Sequence, residues 1–318
     1  MPAPNREFLL QLISDARIKG PQLEETVARV LDASYWRELV PDFHIGDSGS
    51  SLECAPLNSD LIDAAALAER QDGYFRLPGV IAPAGVQRLN HAIDAVVSAG
   101  WPAAFVFMYD EAWQSARSPA ASRVLEAVLG RGFRQICHVW AHVVKPVVGS
   151  TGWHPHVDGD PGRRMTVWIG LTAATLDNGC MHVVPRDATL SSSDLIPRFR
   201  VSDSQFSRTE VASLLHATHA LVASPGDALG WGFDVIHWGG FARRAGEERR
   251  GLSFEYIAAD QQPGDNDGPL VDMGVLPLFE DRLRFVASGV LVYRKFEPIV
   301  DRFADVARAI KTRLEPPG

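Results

Sequence analysis

The chain has 318 residues, 46% of them hydrophobic and 22% charged, a composition that builds a folded core and excludes a disordered polymer. Its formal charge of -8 provides no basic field for a nucleic-acid backbone, so nucleic acid is not an expected partner. Cys54, Cys137 and Cys180 are widely spaced and form no CxxC pair, which points to reduced thiols in a cytoplasm and away from a zinc site or disulfide framework.

Met1 to Lys19 mixes charges with its apolar residues and holds no apolar run of signal-peptide or membrane-spanning length, so no membrane partner is expected. Residues 6–40 predict two helices, one on Phe8, Leu9, Leu12 and Ile13 and one on Leu23, Val27, Val30 and Leu31, with a break at Gly20-Pro21. Residues 41–60 read as a loop. Gly73 to Leu77 alternates as a short strand, Pro78-Gly79 turns the chain, and Pro83 opens a helix with Val86, Leu89, Ile93 and Val97 on one face.

Between Phe133 and Tyr256 strands predominate: Cys137 to Val144, Met165 to Leu171, Cys180 to Val184 and Leu252 to Ile257, with turns at Asp177-Asn178-Gly179 and Pro225-Gly226-Asp227. This pattern predicts a mainly β fold with flanking helices around a jelly roll or other double-sheet core. Residues 296–313 read as a closing amphipathic helix on Ile299, Phe303, Val306 and Ile310. We expect one catalytic unit over 1–318: a helical extension and loop (1–70), a core (72–257), and an insertion with a C-terminal helix (258–318). The stretches 111–121 and 261–274, with the N-terminal helices, are candidate lids.

The chemistry is concentrated in Trp153-His154-Pro155-His156-Val157-Asp158-Gly159-Asp160. On an extended backbone His156 and Asp158 face one side and Val157 the other, so an imidazole and a carboxylate can meet one ion. His237, from the segment Trp231 to His237, can complete a 2-His-1-carboxylate triad, a donor set that leaves open positions and suits iron(II) oxygen chemistry. His-x-Asp alone is a weak signal in a chain with ten histidines. His154 shares the face of His156 if the strand continues, as a substrate contact, a stand-in ligand or a polar residue at the rim. Arg163 and Arg164 follow the motif on a loop and can meet an anionic substrate or solvent. His216 and His219 have HxxH spacing without a third ligand and read as structural.

Five stretches in order are similar to the phytanoyl-CoA dioxygenase family: Asp72 to Gly79; Trp153 to Asp158; Thr166 to Leu171 with Asp177 to Pro185; Pro225 to Gly239; and Arg249 to Ser253. The resemblance implies a double-stranded β-helix, cupin-like core and an oxygenase using Fe(II), 2-oxoglutarate and O2, with His156, Asp158 and His237 as iron ligands. It implies that Arg249 binds the distal carboxylate of 2-oxoglutarate, for which a bidentate, permanently charged group is suited, with Arg250 the alternative if the strand register is shifted. Trp168 and Lys145 match positions that border the cosubstrate.

Two departures matter. The family usually has Gly-Ser after its distal histidine, whereas Trp238-Gly239 stands here, which makes Trp238 a candidate substrate contact. Asp158 keeps the carboxylate that related halogenases lack, and so argues against halogenation. The expected reaction is hydroxylation of an unactivated C–H in a small metabolite of natural-product or amino-acid type, with desaturation, cyclisation or epimerisation as alternative outcomes. A monomer or homodimer is expected. The alternatives of another kind are a cupin-like metal enzyme without 2-oxoglutarate and a non-catalytic binding protein.

Overall fold

The computed structural model describes residues 17–46, 51–56, 58–159, 162–186, 198–199, 205–265 and 267–314. The first predicted helix, on Phe8 to Ile13, lies outside them. The chain begins with α1 (Pro21–Val30), α2 (Ala33–Leu39) and α3 (Ser59–Asp72). Asn58 caps α3 through the Leu61 amide. Gly73 ends it at φ 81, a left-handed conformation that favours glycine. Any Cβ there would also lie 2.7 Å from Val235. The chain then enters β1 (Tyr74–Leu77) and α4 (Pro83–Ser98).

A 3-10 turn (Ala103–Met108) leads to α5 (Asp110–Ser115) and α6 (Pro119–Leu129). The strands follow: β2 (Arg134–Val144), β3 (Arg164–Gly170) and β4 (Met181–Val184). After α7 (Arg208–Ala217) come β5 (His219–Leu221), β6 (Ala228–Gly232), β7 (Ile236–Gly239) and β8 (Arg249–Ile257). The chain closes with α8 (Phe279–Tyr293), a 3-10 turn (Pro298–Phe303) and α9 (Ala304–Leu314).

The strands form an antiparallel jelly roll of two sheets, ordered β1-β6-β3-β8-β2 and β5-β4-β7. Alternation assigns the two faces of the large sheet different tasks. On β8, Leu252, Phe254 and Tyr256 join the main apolar core with Trp36, Leu89, Trp113, Val290 and Ile310 from the helices. The intervening Arg249, Ser253 and Glu255 face the small sheet across a cavity. These helices therefore support the large sheet from outside, whereas α7 packs against the small sheet, and the site occupies the space between the sheets.

Three expectations are corrected. Residues 111–121 form α5 and the start of α6, not a lid: Asp110 is fully buried 2.6 Å from Arg282, and Glu111 accepts from the His44 amide at 3.1 Å. Residues 261–265 and 267–274 are a wall rather than a lid, because Asp267 pairs with buried Arg164 at 2.6 Å and Val271 exchanges backbone bonds with Gln135. The predicted C-terminal helix is divided into a 3-10 turn and α9. Phe303, Val306 and Ile310 are buried, but Ile299 is 76% exposed, because the tighter turn carries it off the helical stripe. The helices α3 and α8 were not anticipated, although α8 carries apolar residues Leu283, Val286 and Val290 at helical spacing.

Candidate metal centre

His156 and His237 form an isolated antiparallel bridge, exchanging N–H to carbonyl bonds of 3.1 and 2.9 Å. Residues directly opposite in such a bridge project to the same side, and the imidazole centroids lie 4.3 Å apart. Asp158, two residues beyond His156, returns to that side, while Val157 packs oppositely with Val184 and Ile236. The alternation read from the sequence is thus present, although a bridge rather than a regular strand holds it.

The donor atoms of His156, Asp158 and His237 lie within 4.8 Å of one another. Asp158 Oδ1 is 3.7 Å from His156 Nε2 and 3.6 Å from His237 Nε2. Metal bonds of about 2.0–2.2 Å place two donors of one ion roughly 3 to 4 Å apart, so the three residues fit a single ion. His156 Nδ1 donates to the His154 carbonyl at 2.6 Å and His237 Nδ1 to the Val235 carbonyl at 3.0 Å. Each bond leaves Nε2 with its lone pair toward Asp158. Consistently, His156 Nε2 is buried without a hydrogen-bond partner.

Burial pushes His237 down to about 4, which keeps it neutral near pH 7. Burial opposes ionisation of Asp158. The adjacent His237 and His156 and the bonds from Thr166 and Trp231 outweigh it and hold the carboxyl below its ordinary value. Thr166 Oγ1 donates to Asp158 Oδ2 at 2.6 Å and Trp231 Nε1 to the same oxygen at 3.0 Å. One carboxylate oxygen is therefore fixed from behind and the other is presented to the histidines.

Arg249 occupies the other end of the cavity. It is 3% exposed, and among the described residues its guanidinium meets no carboxylate and has one hydrogen-bond partner, the Met181 sulfur at 3.7 Å. Burial pulls the guanidinium down to about 10, so it remains charged at neutral pH. Gly152 and Gly239 make room for it: a Cβ on either would lie 2.8 Å from Nη2. Trp168 lies flat against Gly251, where a Cβ would be 2.4 Å from the indole Nε1. That Nε1 is also buried and unpartnered. His142 and Ser253, bonded at 3.0 Å, line the same cavity. Burial, with Arg249 beside it, pushes His142 down to about 3.

The structure separates the remaining candidates. Arg250 points away from the cavity, paired with Asp94 at 2.6 Å and Glu248 at 2.7 Å. Lys145 does not reach the cavity: its side chain is 70% exposed and lies 3.7 Å from Glu248, because Pro146 follows and the strand has already ended. Arg163 is also outside, paired with Asp260 at 2.9 Å and bonded to the Leu129 carbonyl. Arg164 is buried in its structural pair with Asp267. His154 and Trp238 border an outer cleft beside the triad, with Trp238 stacked on His182 at 5.4 Å.

Thr166, Trp231, His142, Ser253, Glu255 and Tyr293 were not singled out from the sequence. Alternation from Arg249 would have indicated Ser253 and Glu255, whereas Thr166 and Trp231 reach Asp158 only through strand pairing.

The phytanoyl-CoA dioxygenase family model matches residues 70–251. Similar solved structures include the epimerase SnoN in complex with Fe3+, alpha ketoglutarate and nogalamycin RO, at 18% identity and TM-score 0.50, covering 68% of this chain and 95% of that one. EctD from S. alaskensis with 2-oxoglutarate and 5-hydroxyectoine is 15% identical at TM-score 0.51, covering 70% and 88%. The non-heme monooxygenase ThoJ in its Ni complex is 18% identical at TM-score 0.51, covering 74% and 99%. At these identities the likeness is one of fold. No curated protein matches the sequence.

Proposed function

The chain belongs to the phytanoyl-CoA dioxygenase family, and from that premise we propose that it is an Fe(II)- and 2-oxoglutarate-dependent dioxygenase that hydroxylates an unactivated C–H of a small metabolite. The observation that carries this reading is Arg249, a buried cation without an anionic partner among the described residues, in the same cavity as three converging metal donors. A desolvated charge of this kind calls for an anionic ligand. We assign the distal carboxylate of 2-oxoglutarate to Arg249, with the free Trp168 Nε1 as an additional donor, and iron to His156, Asp158 and His237.

Bound iron, 2-oxoglutarate and O2 supply the oxidising power, with the cosubstrate ending as succinate and CO2. The protein's part is geometry. The carbonyls of His154 and Val235 hold the two imidazoles in the tautomer that offers Nε2. Thr166 and Trp231 hold Asp158 so that one oxygen remains for the metal. Trp168 and Met181 form apolar walls that keep water from Arg249, so that a carboxylate bonds in a low-dielectric setting. We read 1–318 as one catalytic unit, with the core over 72–257 and residues 258–318 forming part of the substrate side.

The test is succinate release with Fe(II) and 2-oxoglutarate, measured against a panel of small metabolites. Wild type shows release that a substrate stimulates, and His156→Ala shows neither. If Arg249→Ala leaves the 2-oxoglutarate affinity unchanged, the cosubstrate assignment fails. If wild type and His156→Ala give the same background with every metabolite, the oxygenase reading fails.

A further inference from the structure

Two clefts meet at the metal donors, and their linings differ. Both include His156, Asp158 and Gly159, and Lys295 and Phe296 stand between them. The first, of 820 Å³, runs beside α7 and β7 over Phe206, Leu214, Ile236 and Trp238; Asp158 is the one carboxylate in its lining, and its cations are Lys295 and Arg198, the latter paired with Glu210. The second, of 900 Å³, runs beside α8. Besides Asp158 its lining carries three carboxylates (Glu255, Asp265 and Asp267) and three cations (Arg284, Lys295 and Lys311), so it offers donors and acceptors without a net field.

Glu255 is the innermost carboxylate of this second cleft. The β3–β8 register sets it opposite Thr166, whose hydroxyl holds Asp158. Its Oε2 lies 3.0 Å from His138 Nδ1, and it accepts a side-chain hydrogen bond from Tyr293. A carboxylate has acceptor capacity beyond two such bonds, and Glu255 borders both the inner cavity and the cleft.

Resting on the oxygenase reading above, we propose that the substrate is a neutral amphipathic molecule that crosses the metal and occupies both clefts. An apolar ring or chain lies against Phe206, Leu214 and Trp238, and a hydroxyl-bearing head donates to Glu255. Either cleft by itself approaches the upper end of the roughly 300–1,000 Å³ that serves a drug-sized ligand. An amino acid would leave most of both filled with water, which favours the natural-product alternative. The balanced charges likewise disfavour a polyanionic carrier such as a CoA thioester, whose phosphates need an excess of cations.

The test uses n-octyl-β-D-glucoside and n-butyl-β-D-glucoside below micelle formation, titrated calorimetrically into protein loaded with Mn(II) and 2-oxoglutarate. The octyl probe binds, and affinity falls about fourfold for each methylene removed. Leu214→Asp, on a helix with no fully buried residue, flattens this chain-length trend, with Leu214→Ala as the milder variant. Glu255→Gln weakens both glucosides about tenfold, the scale of one hydrogen bond to a charged group, and keeps the trend.

Leu278→Asp, at an exposed leucine away from both clefts, changes neither. Mn(II) affinity, measured on each protein, identifies a variant that has lost its fold. A flat response to chain length in wild type, or a trend that survives both Leu214 variants, overturns the proposal. Titration of 2-oxoglutarate into the Mn(II) protein separates the two levels. If it binds and the glucosides do not, only this inference falls; if it does not bind, the oxygenase reading falls as well.

Discussion

Replacing Arg249 by methionine should stabilise the protein while removing the proposed 2-oxoglutarate contact. Burial takes the guanidinium from above 12 down to about 10, which at about 1.4 kcal/mol per pH unit represents about 3 kcal/mol of uncompensated desolvation. The direction follows from linkage. The unfolded chain binds this proton more tightly, so the penalty is complete at every pH below 10 and is relieved only as the pH rises above it. Methionine fills much of the same volume and carries no charge. Without 2-oxoglutarate, Arg249→Met should therefore unfold about 3 °C above wild type, allowing some loss to imperfect packing.

The second half of the prediction concerns the ligand. At a 2-oxoglutarate concentration near 100 times its Kd, wild type with Mn(II) gains about 2.7 kcal/mol. The variant loses two charge-assisted bonds and binds at least about 30-fold more weakly, so most of that gain disappears. Differential scanning fluorimetry of both proteins at constant Mn(II), with and without 2-oxoglutarate, measures both effects. A variant that melts below wild type without ligand, yet shows the same 2-oxoglutarate shift, would refute the assignment of an unpaired anion-binding charge.

Three further predictions follow from the same geometry. Thr166→Val removes the 2.6 Å bond to Asp158 Oδ2 and should raise the Mn(II) Kd by about 10-fold or more, as electron paramagnetic resonance titration can determine; an unchanged Kd would mean that Trp231 alone fixes the carboxylate. Gly239→Ala sets a methyl 2.8 Å from both Arg249 Nη2 and the Gly152 Cα and should weaken 2-oxoglutarate binding roughly 10-fold, the scale of 1–3 kcal/mol of overpacking, while calorimetry finds Mn(II) binding retained. His142, at about 3 when folded, refuses a proton that the unfolded chain accepts below its ordinary 6.5. Stability should fall as the pH drops from there toward 3, by about 3 kcal/mol at pH 4.5. Urea midpoints of wild type and His142→Gln at pH 7 and 4.5 check this, because the variant should lose less stability over that interval.

How much of the site was legible depended on how local its signals are. The His156-x-Asp158 spacing carried its own geometry: residues two apart on extended chain share a face, and the structure has them doing so. The adjacent arginines could be ranked only by parity, and β8 sends Arg249 into the cavity and Arg250 to Asp94 on the other side. Lys145 and Arg163 looked suitable because they lie near motif residues in sequence. Both are exposed and paired with acids outside the cavity, since proximity along the chain says little about direction once a strand has ended.

Residues 111–121 looked like a surface loop, yet Glu111 is held inside by His44, 67 residues away, and the Met108 carbonyl just before the segment by Arg282, 174 residues away. No window of sequence contains such pairs.

The sequence by itself indicated β1, β2, β3, β4 and β8, the turns between them and the His156-x-Asp158 pair as candidate donors, because alternation, turn chemistry and ligand type are local properties. Only the tertiary structure decided that His156 and His237 are bridged across two distant segments, that Thr166 and Trp231 hold Asp158 from behind, and that Arg249 is buried without a counter-ion among the described residues. It also decided that α7 and α8 enclose an apolar and a polar cleft on either side of the metal donors. The physical reason is shared by all four. Strand register and helix packing are set by the burial of the whole core, and that sum over the chain directs each side chain toward the site or away from it.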